Sequence, residues 1–236
     1  MVVRAVLFDL GNTLVSYYQS SEFPPILRSC LRRAVSAAGI SVSKLDEQQL
    51  FDHAMRLNKE RDDLAVRPLA DRLQELFCPY AELTNTKLAD ACHAFLEPIF
   101  ACAKPDVAAP RVLEALRRGG VKTGIVSNTP WGSPAPPWKA ELARHGLLDH
   151  VDAVVFCVDV GWRKPHPAPF QRALAHLEVP ASKAIFVGDD PRWDILGAER
   201  VGLRPLLLWN GWAVGATSCA VIERLEEVLS WIKAAG

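Results

Sequence analysis

VVRAVLFDLGNTLV, residues 2–15, decides the fold. Its first half is apolar and rich in valine, and predicts a buried strand over residues 3–8. That strand ends on one carboxylate, Asp9, and a tight Gly-Asn-Thr turn follows at once. A buried strand that ends by presenting a charge implies a partner or a task for it. The second residue after Asp9 is Gly11, which has no side chain to share the task.

Working outward, four helical segments come next, over residues 23–39, 43–64, 68–77 and 86–100. The first has Pro24 and Pro25 near its start and Gly39 as its stop. The second opens at Ser43, with Glu47 shortly after as a loose cap signal. No strand-like run interrupts the four, so they read as an inserted α-helical unit over residues 18–101. The remainder, residues 1–17 and 102–236, forms the second predicted unit.

From Pro110 onward, helix and strand alternate. Helices are predicted at 110–120, 137–147, 167–179, 192–202 and 218–235, and strands at 122–128, 152–158, 183–190 and 205–209. Short apolar strands separated by helices argue for α/β architecture, with a doubly wound parallel sheet covered on both faces. In such sheets, ligands bind beyond the carboxyl ends of the strands.

The composition narrows the partners. The 236 residues, half of them hydrophobic, suffice for one sizeable core or a core with a satellite domain. The 27 basic and 27 acidic residues cancel, so neither nucleic acid nor an anionic membrane is the expected partner. No stretch approaches the roughly 18 apolar residues of a membrane span. Residues 2–8 are too short for a secretory leader, and no small-residue cleavage site follows. The six cysteines are scattered without a Cys-x-x-Cys pair, as expected of reduced thiols in a cytoplasmic protein.

The strand ends therefore belong together: Asp9, Ser127 with Asn128, and Asp189 with Asp190, joined by Asp194 one helical turn on and by Lys164. Several carboxylates in one crevice repel each other and call for a divalent cation, a lysine or protonation. Aspartates without His or Cys nearby favour magnesium over zinc. Magnesium and Lys164 beside a carboxylate nucleophile suit phosphoryl transfer, with Ser127 and backbone N–H groups holding the phosphoryl oxygens.

These motifs, FDLGNT, IVSNT, the lysine of RKPHPAPF and VGDDPRWDILGA, occur in this order. Together they resemble the haloacid dehalogenase superfamily of hydrolases, over nearly the whole chain. The helices over 18–101 match the position of that family's helical cap of the first type. The resemblance implies a Rossmann-like core and a Mg2+-dependent phosphatase acting on a small phosphorylated metabolite through an aspartyl-phosphate. It implies Asp9 as nucleophile, Ser127 as phosphate ligand and Lys164 as stabiliser of both. It implies Asp9, Asp189, Asp194 and the carbonyl of Gly11 around the metal, Asp194 directly or through water. Thr13 would support the loop by hydrogen bonding. Apart from the resemblance, the strand end at Asn128 and the following loop at Trp131 are expected to border the substrate.

Gly11 stands where most phosphatases of that family carry a second acid, which protonates the leaving alcohol. Three readings follow. A phosphatase borrows another group, with His53 or His166 the first suspects, or favours good leaving groups. A haloacid dehalogenase needs no such acid, because halide leaves unprotonated. A degenerate member binds without turnover. The retained Asp189 argues for use of a cation. The loop TPWGSPAPPW, 129–138, is stiffened by four prolines. Trp131 and Trp138 read as core plugs, or Trp131 overhangs the crevice and, with Trp162 and Trp193, meets a ring-bearing substrate. Arg56, Arg61 and Arg67 read as a solvated helix face.

Overall fold

In the computed structural model, which describes residues 2–41, 46–57, 63–209, 211 and 219–235, side-chain alternation along the first strand sets the layers. In β1 (Ala5–Phe8), Ala5 and Leu7 enter one hydrophobic cluster and Val6 and Phe8 the other, all fully buried. A strand covered on both faces must be apolar throughout, and AVLF is. Further strands follow in chain order: β2 (Val15–Ser16), β3 (Lys104–Pro105), β4 (Lys122–Ser127), β5 (Ala153–Phe156), β6 (Ala184–Gly188), β7 (Arg204–Leu208) and β8 (Ala220–Ile222). Six of them form one parallel sheet in the order β5-β4-β1-β6-β7-β8. The doubly wound α/β architecture expected from the sequence is the one observed.

β2 and β3 pair antiparallel, Val15 with Pro105 and Ser16 with Lys104. Between them run α1 (Phe23–Ala37), α2 (Glu47–Leu57), α3 (Leu69–Phe77) and α4 (Asn85–Ala101). The chain thus leaves the sheet and returns to it side by side. α1 packs on α4, and their buried Leu27, Leu31, Phe95 and Ile99 join the same hydrophobic cluster as Val6 and Phe8. The predicted helix at 43–64 is seen as α2. Its proposed cap at Ser43, and Arg61, lie outside the described residues. At the far end of the insert, the N–H of Val66 donates to the carbonyl of Gly161 (2.9 Å) and that of Arg163 to Leu64 (2.9 Å).

Behind β3 come α5 (Ala109–Arg118), α6 (Ala135–Arg144), the single turn α7 (Cys157–Val160), α8 (Pro167–Leu177), α9 (Leu196–Arg200) and α10 (Glu227–Ala235). α8 and α9 supply Phe170, Ala173, Leu174 and Ala198 to one face of the sheet. α5, α6 and α10 supply Val112, Leu113, Leu142 and Val228 to the other. No helix among the described residues is long and apolar enough to cross a membrane.

Two predicted elements are corrected. The helix read over 218–235 begins only at Glu227, while Ala220–Ile222 forms β8. β7 would otherwise expose an unpaired edge, and β8 covers it in parallel register, Leu206 beside Ala220. The β-branched pair Val221-Ile222 suits that place. The helix read over 192–202 is preceded by a wide π-type turn, Pro191–Ile195, and α9 proper starts at Leu196. Such turns re-aim one side chain in an otherwise helical segment, and here that turn carries Asp194.

Candidate active site

The carboxyl ends of β1, β4 and β6 open on one cavity of about 430 Å³. Asp9 stands at the end of β1, its N–H donating to the carbonyl of Val187 on β6 (2.8 Å). The chain then turns through Asn12, whose left-handed φ of 56° asparagine tolerates. Ser127 ends β4 and Asp189 follows β6, and both line the cavity.

Lys164 organises the centre. Its Nζ donates to Asp9 Oδ1 and to Asp194 Oδ1, both at 2.6 Å, in a position only 2 % exposed. Burial works against the ammonium charge, but Asp194 and Asp9 outweigh it and raise its pKa, so the lysine stays protonated. Asn128 positions this lysine through the backbone. Its Oδ1 accepts the Lys164 N–H (2.8 Å) and its Nδ2 donates to the Lys164 carbonyl (3.2 Å). Asn128 lines the cavity, yet both ends of its amide are engaged there.

Asp194 is fully buried. Its Oδ1 meets Lys164, and its Oδ2 accepts the N–H of Asp190 (3.1 Å). A methyl group on Gly188 would stand 2.4 Å from Asp194 Oδ2, so only glycine admits this carboxylate. Asp190 caps the following turn by accepting the Arg192 N–H (2.8 Å), and pairs with the Arg192 guanidinium (2.9 Å).

Asp9, Asp189 and Asp194 each offer a carboxylate oxygen, all within 4.8 Å of one another. Burial first, then repulsion by Asp9 and each other, raises the pKa of Asp189 despite Lys164. Burial likewise raises that of Asp194, with Lys164 opposing and Asp9 reinforcing. One lysine therefore does not neutralise three carboxylates. An all-oxygen donor set with surplus negative charge fits a hard divalent cation such as magnesium.

Other expected residues fall differently. Thr13 is buried behind the loop and does not line the cavity. Its backbone N–H donates to Leu10 (3.4 Å), but its Oγ1 has no partner among the described residues, so the expected side-chain hydrogen bond is not made there. Trp131 does line the cavity, 2 % exposed, against Phe95 of α4 (5.3 Å), with a left-handed φ of 58°. Trp193 lines it as well. Trp138 is a core plug, its Nε1 donating to Ser133 Oγ (2.8 Å), and Trp162 stacks on His166 (4.3 Å) away from the cavity.

Neither suspect for the missing acid reaches this cavity. His53 faces Glu75 at 3.7 Å beside a different cavity between α2 and α3, and His166 caps α8 by accepting the Ala168 N–H. Arg67 pairs with Asp63 (2.7 Å), and Arg56 borders the His53 cavity. Sequence reasoning missed Asn12, Tyr18, Phe23 and Arg163, which line the main cavity. Their positions carried the signal: Arg163 precedes the key lysine, and Tyr18 and Phe23 lie where the chain enters the insert.

The chain is similar to known proteins. A family model described as haloacid dehalogenase-like hydrolase matches residues 3–202. Glyceraldehyde 3-phosphate phosphatase of Methanopyrus kandleri is 31% identical over 89% of this chain and 85% of its own. Ribulose-1,5-bisphosphate 5-phosphatase of Halopiger xanaduensis is 33% identical over 87% and 84%. Among solved structures, 2-haloacid dehalogenase from Pseudomonas syringae pv. Tomato superposes with a TM-score of 0.70 at 22% identity, covering 99% of both chains, a likeness of fold. With its core strands, its lysine-bridged aspartates and a matching model over most of its length, the chain belongs to the haloacid dehalogenase-like hydrolases.

Proposed function

We propose that this hydrolase is a magnesium-dependent phosphatase that cleaves a small phosphate monoester through an aspartyl-phosphate on Asp9. One observation carries the reading: Lys164 joins Asp9 to Asp194 at 2.6 Å each, while Asp189 completes a carboxylate cluster that one lysine leaves under-neutralised. The phosphatase names of the relatives in Methanopyrus and Halopiger support it.

The phosphate sits over Asp9, its oxygens toward Ser127 Oγ and the Lys164 ammonium. Asp9 attacks phosphorus. The new Asp9–phosphorus bond forms as the ester bond breaks, its electron pair leaves on the ester oxygen, and that oxygen takes its proton from water. Water then attacks phosphorus, the acyl-phosphate bond breaks, and inorganic phosphate leaves with Asp9 restored. Asp9, Asp189 and Asp194, with the Gly11 carbonyl, would hold the magnesium, which would supply positive charge to offset the phosphate's. Lys164 holds Asp9 and the phosphoryl group in register, and Asn128 holds Lys164. The helices over 18–101 act as a cap that excludes water during phosphoryl transfer and admits it afterwards.

The test uses one plate. Purified protein is given phenyl phosphate or chloropropionate, each with magnesium or with chelator. Phosphate released with magnesium only, and lost in Asp9→Asn, is the expected result. Halide released regardless of chelator would overturn the reading in favour of a dehalogenase. Neither product, for these or any ester tried, would leave a binding protein.

A further inference from the structure

The cavity over Asp9 shares a wall with a smaller one of about 150 Å³. Gly11, Asn12, Tyr18, Ser127, Asn128 and Pro130 border both. The smaller cavity is otherwise lined by Leu10, Tyr17, Ile99, Thr129, Trp138 and Phe156. It is therefore an apolar annex to the reaction site.

Three features define its occupant. Away from the shared wall the annex is walled mainly by Leu10, Tyr17, Ile99, Trp138 and Phe156, with Thr129 the one further polar side chain, and a cavity of about 150 Å³ with such walls has room for one benzene-sized ring. Tyr17 borders the annex, and its Oη is buried without a partner among the described residues, so one polar atom of a ligand has a place to bond. The third feature is the supply of protons. An alkyl ester must release a strongly basic alkoxide, which needs an acid beside it. Gly11 has no side chain, and a Cβ built there meets no atom within 4 Å. Of the carboxyl groups on the main cavity, Asp9, Asp189 and Asp194 form the cluster, and Asp190 is held by Arg192. Among the described residues, no further carboxyl group and no imidazole lines either cavity.

We propose that the substrate is an aryl phosphate, its phosphate over Asp9 and its ring in the annex beside Tyr17 and Ile99. This rests on the phosphatase reading above. As Asp9 bonds to phosphorus, the phosphorus–oxygen bond breaks and its electron pair leaves on the phenoxide. Phenoxide is a weak enough base to depart unprotonated, and takes its proton from water on release. Aspartyl-phosphate hydrolysis then completes the cycle.

The experiment compares kcat/KM for phenyl phosphate, glycerol phosphate and acetyl phosphate, the last a good leaving group without a ring. Wild-type protein should prefer phenyl over glycerol phosphate by at least about 100-fold. Ile99→Phe, which fills the annex, should lower phenyl phosphate turnover at least about 10-fold more than acetyl phosphate turnover. Tyr17→Phe keeps the test open should Ile99→Phe not fold: it should erase any preference for para-hydroxyphenyl over phenyl phosphate. Equal losses on phenyl and acetyl phosphate, or glycerol phosphate cleaved as fast as phenyl phosphate, would overturn the aryl subsite alone. No hydrolysis of any of the three by wild-type protein with magnesium would overturn the subsite together with the proposed reaction.

Discussion

Lys164 reaches Asp9 across 155 residues of chain and donates to its Oδ1 at 2.6 Å, both side chains buried beneath the cavity. The same ammonium holds Asp194. Removing it leaves buried carboxylates without their internal counter-charge, which destabilises a fold by about 3–5 kcal/mol. Lys164→Met should lower phosphatase activity at least about 100-fold. It should also lower the melting temperature, part of it regained in acid. An unchanged melting temperature by calorimetry would show that the carboxylates do not depend on this lysine.

Gly188 faces the back of Asp194, where a methyl group would overlap the carboxylate at 2.4 Å. Gly188→Ala should push Asp194 off Lys164 and cut kcat about 100-fold with the fold intact, since a displacement near 1 Å costs that much in a positioned site. Steady-state kinetics with circular dichroism reads both. Full activity would mean that Asp194 can sit elsewhere.

Asn128 spans the N–H and carbonyl of Lys164 with its own amide. Asn128→Ala should lower kcat about 10-fold or more while leaving KM nearly constant, because it positions the lysine and not the substrate. A rise in KM with constant kcat would instead make Asn128 a substrate ligand.

These residues also show how much the sequence disclosed. Asp9, Ser127, Asp189 and Asp194 stand at or just beyond the carboxyl ends of apolar strands, and Lys164 follows β5 by way of α7, so a parallel sheet gathers them at one cavity. β8 was hidden because three residues, Ala220–Ile222, suit either helix or strand, and the open edge of β7 decides. His53 was misplaced because helical periodicity marks the apolar stripe of α2 but not what the rest of the helix faces. The isolated Thr13 hydroxyl and the annex beside Gly11 depend on how side chains from four distant segments close together.

Gly11 lacks a left-handed backbone and has open space in front of it, so a side chain fits there. Gly11→Asp should raise turnover of glycerol phosphate about 10-fold or more by protonating the leaving alkoxide, with less effect on phenyl phosphate. An equal change on both esters would place the new carboxyl out of reach of the leaving oxygen.

If the cluster holds magnesium as proposed, the ion and protons compete for the same carboxylates. Asp189 and Asp194 have folded-state pKa values raised above their unfolded ones. They therefore favour folding at acid pH and oppose it as pH rises through the raised values. The metal-free protein should lose stability in that direction, and magnesium should restore it. The rise in melting temperature with magnesium should be larger near about pH 8 than near about pH 6. A rise independent of pH would place the ion away from these carboxylates.

The central claim is that Asp9 becomes phosphorylated. The most direct measurement is rapid acid quenching of protein mixed with magnesium and phenyl phosphate, followed by peptide mass spectrometry. The proposed mechanism predicts one phosphoryl group on the peptide that contains Asp9, appearing within the first turnover, absent with chelator and absent in Asp9→Asn. Phosphate release without any phosphoryl group on that peptide, or its appearance on another residue, would contradict it.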